Sequence, residues 1–237
     1  MATGSETNDL GQPIGWPVSG DFPRPTPPYT PMQGGFCSVV PLDINRHAPG
    51  LYRAFANDAD GHNWTYLPYG PFESEAAFVE WAQNNCSDAD PMFHSVLDAN
   101  DVPVGMASYL RITPAAGSIE VGHIHFSPLL QRSPQSTEVM YLMMRRVFDE
   151  LGYRRYEWKC DALNAPSRRA AERLGFTFEG VFRQATHYKG RNRDTAWYSI
   201  IDSEWPRIRK AFEAWLLPEN FDAAGKQRQP LQARAEV

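Results

Sequence analysis

Residues 118–138 hold the side chains best suited to chemistry. A strand-like run, SIEVGHIHF, leads through SPLL to Gln131-Arg132-Ser133-Pro134-Gln135-Ser136-Thr137-Glu138 at the head of a helical pattern. A helix start leaves backbone N–H groups unpaired and carries the positive end of the helix dipole. Three hydroxyls and an arginine placed there have the makings of an anion site. Plain N-capping by Ser133 is the alternative. On the preceding strand, Glu120 and His123 are the proton-exchanging groups, and histidine titrates near neutrality. Glu120 could equally pair with an arginine, and His123 could be a satisfied sheet residue. Alternation puts Glu120 and Gly122 on one face and His123 and His125 on the other, unless a bulge intervenes. Cys160, at a strand end, reads as core rather than nucleophile.

The elements around these residues follow from pattern. Residues 1–35 contain seven prolines, so this stretch is extended, with Trp16, Phe22 and Tyr29 available to wrap it across the body. The body then spans 34–217, after 1–33, and 218–237 reads as a flexible tail. Phe36–Pro41 forms a short strand, and a helix carries Leu51, Ala54 and Phe55. NWTYLPYGPFES is an aromatic loop, and Ser74 or Glu73 opens a helix burying Ala77, Phe78 and Trp81. Met92–Leu97, Val102–Ile112 and Ser118–Phe126 make a meander. Ser133–Leu151 is a helix with Pro134 at its first position and Gly152 as its stop. Tyr153–Asp161 is a strand, and Asn164–Leu174 is a helix closed by Gly175. Phe176–Lys189 and Thr195–Ile201 are strands, followed by a helix over Glu204–Leu217. This is an α/β (α+β) chain with a mixed sheet.

The 237 residues are 42% apolar and 22% charged, ordinary globular usage. The net charge of -5 argues against a nucleic-acid coat. No apolar run approaches a membrane span, and the start of the chain lacks a signal-peptide pattern. Three dispersed cysteines fit neither a disulfide framework nor a zinc site, and point to a reducing, cytoplasmic setting with no metal. Residues 1–130 carry 4 basic against 14 acidic side chains, whereas 131–194 carry 13 against 8. A cationic block therefore begins at the candidate anion site.

DALNAPSRRAAERLGFTFEG resembles the pattern D-x-x-N-x-x-S-x-x-x-x-x-x-x-G-F-x-x-E-G of the GNAT superfamily of acyl-CoA-dependent N-acetyltransferases, in its ribosomal-protein N-terminal acetyltransferase-like branch. Asp161, Asn164, Ser167, Gly175, Phe176, Glu179 and Gly180 carry the match. Glu120-Val121-Gly122-His123 resembles the branch's E-I-G-Y strand. Pro128, Gln131, Thr137 and Glu138 fall on its P-x-x-Q-G-x-G-x-A-T-E stretch, and Tyr188, Gly190 and Asp194 to Ser199 fall on its closing hairpin. Pro134 and Ser136 stand where the family's phosphate loop has glycines, and a proline offers no N–H.

The resemblance implies a seven-stranded, mostly antiparallel sheet splayed between its fourth and fifth strands, with helices on both faces and acetyl-CoA inserted at the splay. Ile124, His125 and Phe126 then become backbone partners of pantetheine. Gln131, Arg132, Ser133, Ser136 and Thr137 form the phosphate loop, Asn164 bonds the pantetheine arm, and Arg168 meets a phosphate. Ser167 protonates the thiolate, with Tyr188 as an alternative donor, and Glu120 or His123 serves as base. Trp64, Tyr66, Tyr69 and Phe72 border the acceptor, a small amine or a protein N-terminus. Asp58, Asp60, Glu73 and Glu75 lie nearby as an acidic rim. No metal is required, and a homodimer is common in the family. Two other readings compete: a non-catalytic acyl-CoA-binding module, motivated by Pro134, and an interaction protein acting through the Pro-rich segment.

Overall fold

The computed structural model describes residues 5–223 and 225–234. Its strands are β1 (Ser5–Thr7), β2 (Pro13–Gly15), β3 (Met32–Gln33), β4 (Ser38–Pro41), β5 (Met92–Leu97), β6 (Pro103–Thr113), β7 (Ser118–Phe126), β8 (Arg155–Asp161), β9 (Thr177–Tyr188) and β10 (Arg191–Ile201). Its helices are α1 (Ile44–Phe55), α2 (Glu75–Asn85), α3 (Pro134–Arg145), α4 (Ala165–Arg173) and α5 (Trp205–Trp215). β1 and β2 form a separate exposed hairpin. The other eight strands form one sheet in the order β3-β4-β5-β6-β7-β8-β10-β9. Neighbours are antiparallel except β7 and β8, which run parallel.

Seven of those eight strands fall where alternation places them. The eighth, β3, is a two-residue edge strand that the proline-rich sequence hides, so the sheet has eight strands rather than seven. β10 also starts earlier than Thr195, because Arg191–Arg193 pair with Thr186–Tyr188. α3 does not stop at Arg145. A wider π-type turn over Arg146–Glu150 carries it on to Gly152, whose φ of 65° ends it.

Both sheet faces are covered, one by a first core and the other by a second core. On one, Val139 and Met143 of α3 and Ile208 and Phe212 of α5 pack on Ile119, Val121, Tyr156 and Tyr198. On the other, Leu51 and Phe55 of α1, Phe78 of α2 and Trp64 of the aromatic loop pack on Phe93 and Met106. The proline-rich segment wraps the body from about Pro23. Arg146, almost wholly buried, donates to the carbonyls of Pro28, Thr30 and Pro31, and Tyr29 donates to the Phe93 carbonyl at 2.7 Å. After Pro218 the chain lacks apolar periodicity, yet Leu231 and Ala233 are buried and Arg207 donates to the Ala233 carbonyl. Side-chain clamps, which leave no periodic trace, fasten residues 28–31 and 233 to the body.

Candidate active site

β7 and β8 pair only from Ser118–Val121 to Arg155–Trp158. Beyond that point the parallel strands diverge, and a cleft of about 960 Å³ opens between Gly122–Phe126 and Lys159–Asp161. It reaches both faces of the sheet. At one end Ser136, Thr137 and Met140 of α3 and Ala170 and Arg173 of α4 line it. At the other it meets Leu110, Arg111, Phe182, Arg193 and Trp197.

A bulge governs the β7 wall. The β6–β7 register slips between Met106 and Ser108, and His123 has a φ of 49°. Alternation therefore restarts after His123, and both histidines join the face of the second core. His125 stacks on Trp64 (centroids 3.9 Å apart) against Phe55, and His123 Nδ1 lies 3.2 Å from the Tyr69 hydroxyl. Ile124 and Phe126 pack towards the first core and line the cleft.

At the head of α3, Ser133 is the N-cap: its Oγ accepts from Ser136 N at 3.3 Å, and the Ser136 hydroxyl turns back to the Ser133 carbonyl. Ser133 is thereby spent on capping and does not line the cleft. Arg132 is held at a φ of 57°, leaving its side chain at the cleft beside Gln131, whose amide donates to the Phe126 carbonyl. Thr137 accepts from Arg173 at 3.1 Å. Sequence reasoning missed Arg173 as the cation at this end. Arg168 lies outside the cleft lining, where it donates to Tyr198 Oη and the Ala162 carbonyl. The two arginines lie five positions apart on α4, about 140° around the helix, which the helical period alone would have separated.

Asn164 caps α4 by accepting from Ser167 N at 3.1 Å, and its side-chain amide nitrogen is left over for a ligand. Ser167 Oγ accepts from Trp158 Nε1 at 3.0 Å, so its own proton points to another acceptor, and the Cys160 sulfur is the neighbour within its reach. Both residues line the cleft.

At the opposite mouth Glu120 is buried. Arg111 Nη1 lies 2.8 Å from its Oε1, and Lys159 Nζ lies 2.8 Å from its Oε2. Burial raises Glu120 above the usual carboxylate range, and the two cations pull against that rise. Burial lowers His123 to about 4, a weak base. Tyr188 donates to Asp161 at 2.8 Å, and burial with that carboxylate raises it to about 12. Of the aromatic loop, Tyr66 lines the cleft, and its hydroxyl donates to the Leu163 carbonyl at 3.2 Å. Trp64, Tyr69 and Phe72 lie behind the wall as packing for the second core and the two histidines. The acidic rim is absent from the lining: Asp58 accepts from Asn63 N, Asp60 faces His62 and Glu75 faces Arg53.

Burial holds His94 and His123 near 4 and His125 near 3, below the ordinary 6.5. Folded-state values below the unfolded one mean that the unfolded chain binds more protons between about pH 4 and 6.5. Stability is then present above 6.5 and lost on acidification through that window. Urea midpoints should fall steeply across it. His125→Phe, which keeps a ring between Trp64 and Phe55, should flatten the fall; an unchanged slope would place the acid sensitivity elsewhere.

The cleft thus joins a splayed parallel strand pair, a helix start facing its open end and ionisable side chains at the other end. The family description "Acetyltransferase (GNAT) domain" matches residues 39–177. The crystal structure of a GCN5-related N-acetyltransferase from Brucella melitensis is 46% identical, covering 89% of this chain and 96% of its own, with a TM-score of 0.86. A probable GNAT-family acetyltransferase from Chromobacterium violaceum is 42% identical over 82% of this chain and 98% of its own, with a TM-score of 0.77. A putative ribosomal-protein-serine acetyltransferase from Vibrio cholerae, 19% identical over 74% of this chain and 99% of its own, shares the fold with a TM-score of 0.61. No curated protein matches. The chain belongs to the GNAT acetyltransferase family, and acyl-CoA-dependent N-acetyl transfer is its activity class. Among the described residues, no helix is long and apolar enough to cross a membrane, and no cluster of acidic, histidine and cysteine side chains is placed to hold a metal.

Proposed function

We propose that this cleft transfers an acetyl group from acetyl-CoA to a primary amine by direct attack, with the two substrates entering from opposite faces of the sheet. The observation that carries the reading is the divergence of β7 from β8 after Val121 and Trp158, which leaves strand-edge backbone groups beside a helix start lined by Arg132 and Arg173. Strand-edge amides and carbonyls suit the peptide-like pantetheine arm, and Ile124, His125, Phe126 and Asn164 would hold it. Gln131, Arg132, Ser136, Thr137 and Arg173 would hold the phosphates. Pro134 subtracts one N–H from the loop, and the two arginines offset that loss with charge.

When bound, acetyl-CoA supplies an activated thioester carbonyl. The protein positions the amine and moves two protons. Glu120 takes the proton released by the amine, through water, as the carbon–nitrogen bond forms. Ser167, whose oxygen accepts from Trp158, turns its hydrogen from Cys160 towards the departing sulfur as the carbon–sulfur bond breaks. Tyr188 is the second candidate donor. The acceptor is a small amine or a protein N-terminus, and the ribosomal-protein branch rests on the motif match alone. A cytoplasmic location and a homodimer belong to the same reading.

Thiol release from acetyl-CoA with an amine panel tests the activity. Ser167→Ala should lower kcat by at least about tenfold with little change in the KM for acetyl-CoA. Asn164→Ala should raise that KM. Unchanged turnover in both variants would remove these two residues from the site.

A further inference from the structure

The mouth away from α3 and α4 carries an unusual distribution of charge. In the β8–β10–β9 register Lys159 lies opposite Trp197, Asp161 opposite Thr195 and Thr186 opposite Arg193, so these side chains share that face. Two of its cations are already satisfied. Arg111 and Lys159 both hold Glu120, and Lys159 also holds Glu157 at 2.7 Å. Arg193 differs. It lines the cleft, and among the described residues no carboxylate lies within ion-pair distance of it. Its Nε is buried without a hydrogen-bond partner, and its guanidinium carbon lies 5.8 Å from the centroid of the Tyr188 ring. On the next strand the Asp161 carboxylate accepts from Leu163 N and Tyr188 Oη. Further along, Phe182 stacks on Trp197 with centroids 4.3 Å apart while Lys159 Nζ lies 3.8 Å from the Trp197 centroid, so Phe182 is the apolar surface at the mouth.

We propose that Arg193 receives the carboxylate of the acceptor, which makes the acceptor a free amino acid or a comparably small amino-carboxylate. This rests on the acetyl-transfer reading of the same cleft and narrows its second substrate. A buried guanidinium donor without an acceptor is costly, and a ligand carboxylate meets its planar fork with paired hydrogen bonds. Asp161 and Arg193 present opposite poles on neighbouring strands, as the ammonium and carboxylate of an amino acid require. The exposed Phe182 ring suits an apolar or aromatic side chain. A protein N-terminus has no carboxylate beside its amine and would leave Arg193 unpaired.

The test pairs leucine, phenylalanine and methionine with their carboxamides, which keep the amine and lose the charge. Calorimetric binding in the presence of CoA and turnover with acetyl-CoA are both read. The free acids should bind and react with kcat/KM about tenfold or more above the carboxamides. Arg193→Gln should erase that ratio through the KM of the acid, leaving the carboxamides and the KM for acetyl-CoA unchanged, and Arg193→Lys should restore part of it. Equal use of acid and carboxamide, or a ratio indifferent to Arg193→Gln, overturns the proposal. So does CoA binding with no acid bound or acetylated, an outcome that leaves the acetyltransferase reading standing. Failure to bind CoA at all would sink that reading and this one with it.

Discussion

Glu138→Ala should lower the unfolding free energy by about 4 kcal/mol, a large share of the stability of an ordinary domain. The carboxylate is buried at the start of α3 and accepts from three backbone N–H groups in the turn between β3 and β4. Gly35 N donates to Oε1 at 2.7 Å, and Phe36 N and Cys37 N donate to Oε2 at 2.7 and 2.9 Å. The fit is close: a Cβ on Gly34 would collide with the carboxylate. Alanine strands three donors together, and each unpaired buried donor costs about 1–3 kcal/mol before water or relaxation relieves it. Glu138→Gln should recover only part, because its NH2 would face donors. The denaturant midpoint should fall with an unchanged m-value. A loss below about 1 kcal/mol would mean that water replaces the carboxylate in the turn. The Cys37 thiol, whose pKa burial and Glu138 together raise, should become more reactive towards alkylating reagents in the variant.

Glu120→Gln should cut kcat by about 10²–10⁴, the span of a general base, while the KM for acetyl-CoA holds. The wild-type rate should rise with pH along a limb whose midpoint lies above the ordinary carboxylate value, because burial outweighs Arg111 and Lys159. The variant should lose that limb. A stability measurement keeps the result interpretable, since the substitution would also leave Lys159 with Glu157 as its sole carboxylate partner. Lost stability with kcat and pH profile intact would make Glu120 a strut for two cations and return the base role to His123 or to solvent.

Local signals carried much of the fold into the sequence. Ser74, Ser133 and Asn164 each sit before an apolar or Pro-led run, and each caps a helix through its side chain. Gly152 and Gly175 stop helices at positive φ, as their placement predicts. The bulge at His123 left no such mark, because histidine is not a residue that announces a left-handed backbone, and it reversed the facing of both histidines. Glu138, Arg146 and Arg173 read in the sequence as ordinary charges on helices. Thr137 lies 36 residues from Arg173, the turn that Glu138 holds lies about a hundred away, and Arg146 reaches carbonyls more than a hundred residues away besides Glu150 one turn on; composition says nothing about the distant pairings. The aromatic loop was legible as a loop, but the division between Tyr66 at the cleft and Trp64, Tyr69 and Phe72 behind it depends on the histidines that the bulge turned towards them.

A cleft that pierces the sheet also bears on kinetics. Entrances on opposite faces impose no order of arrival, so neither substrate has to clear the path before the other binds. Initial-rate lines should then intersect rather than run parallel, and desulfo-CoA should compete with acetyl-CoA while acting as a mixed inhibitor towards the amine. With the two mouths assigned as proposed, free CoA and the acetylated product would leave by separate doors, and slow release of one would not trap the other.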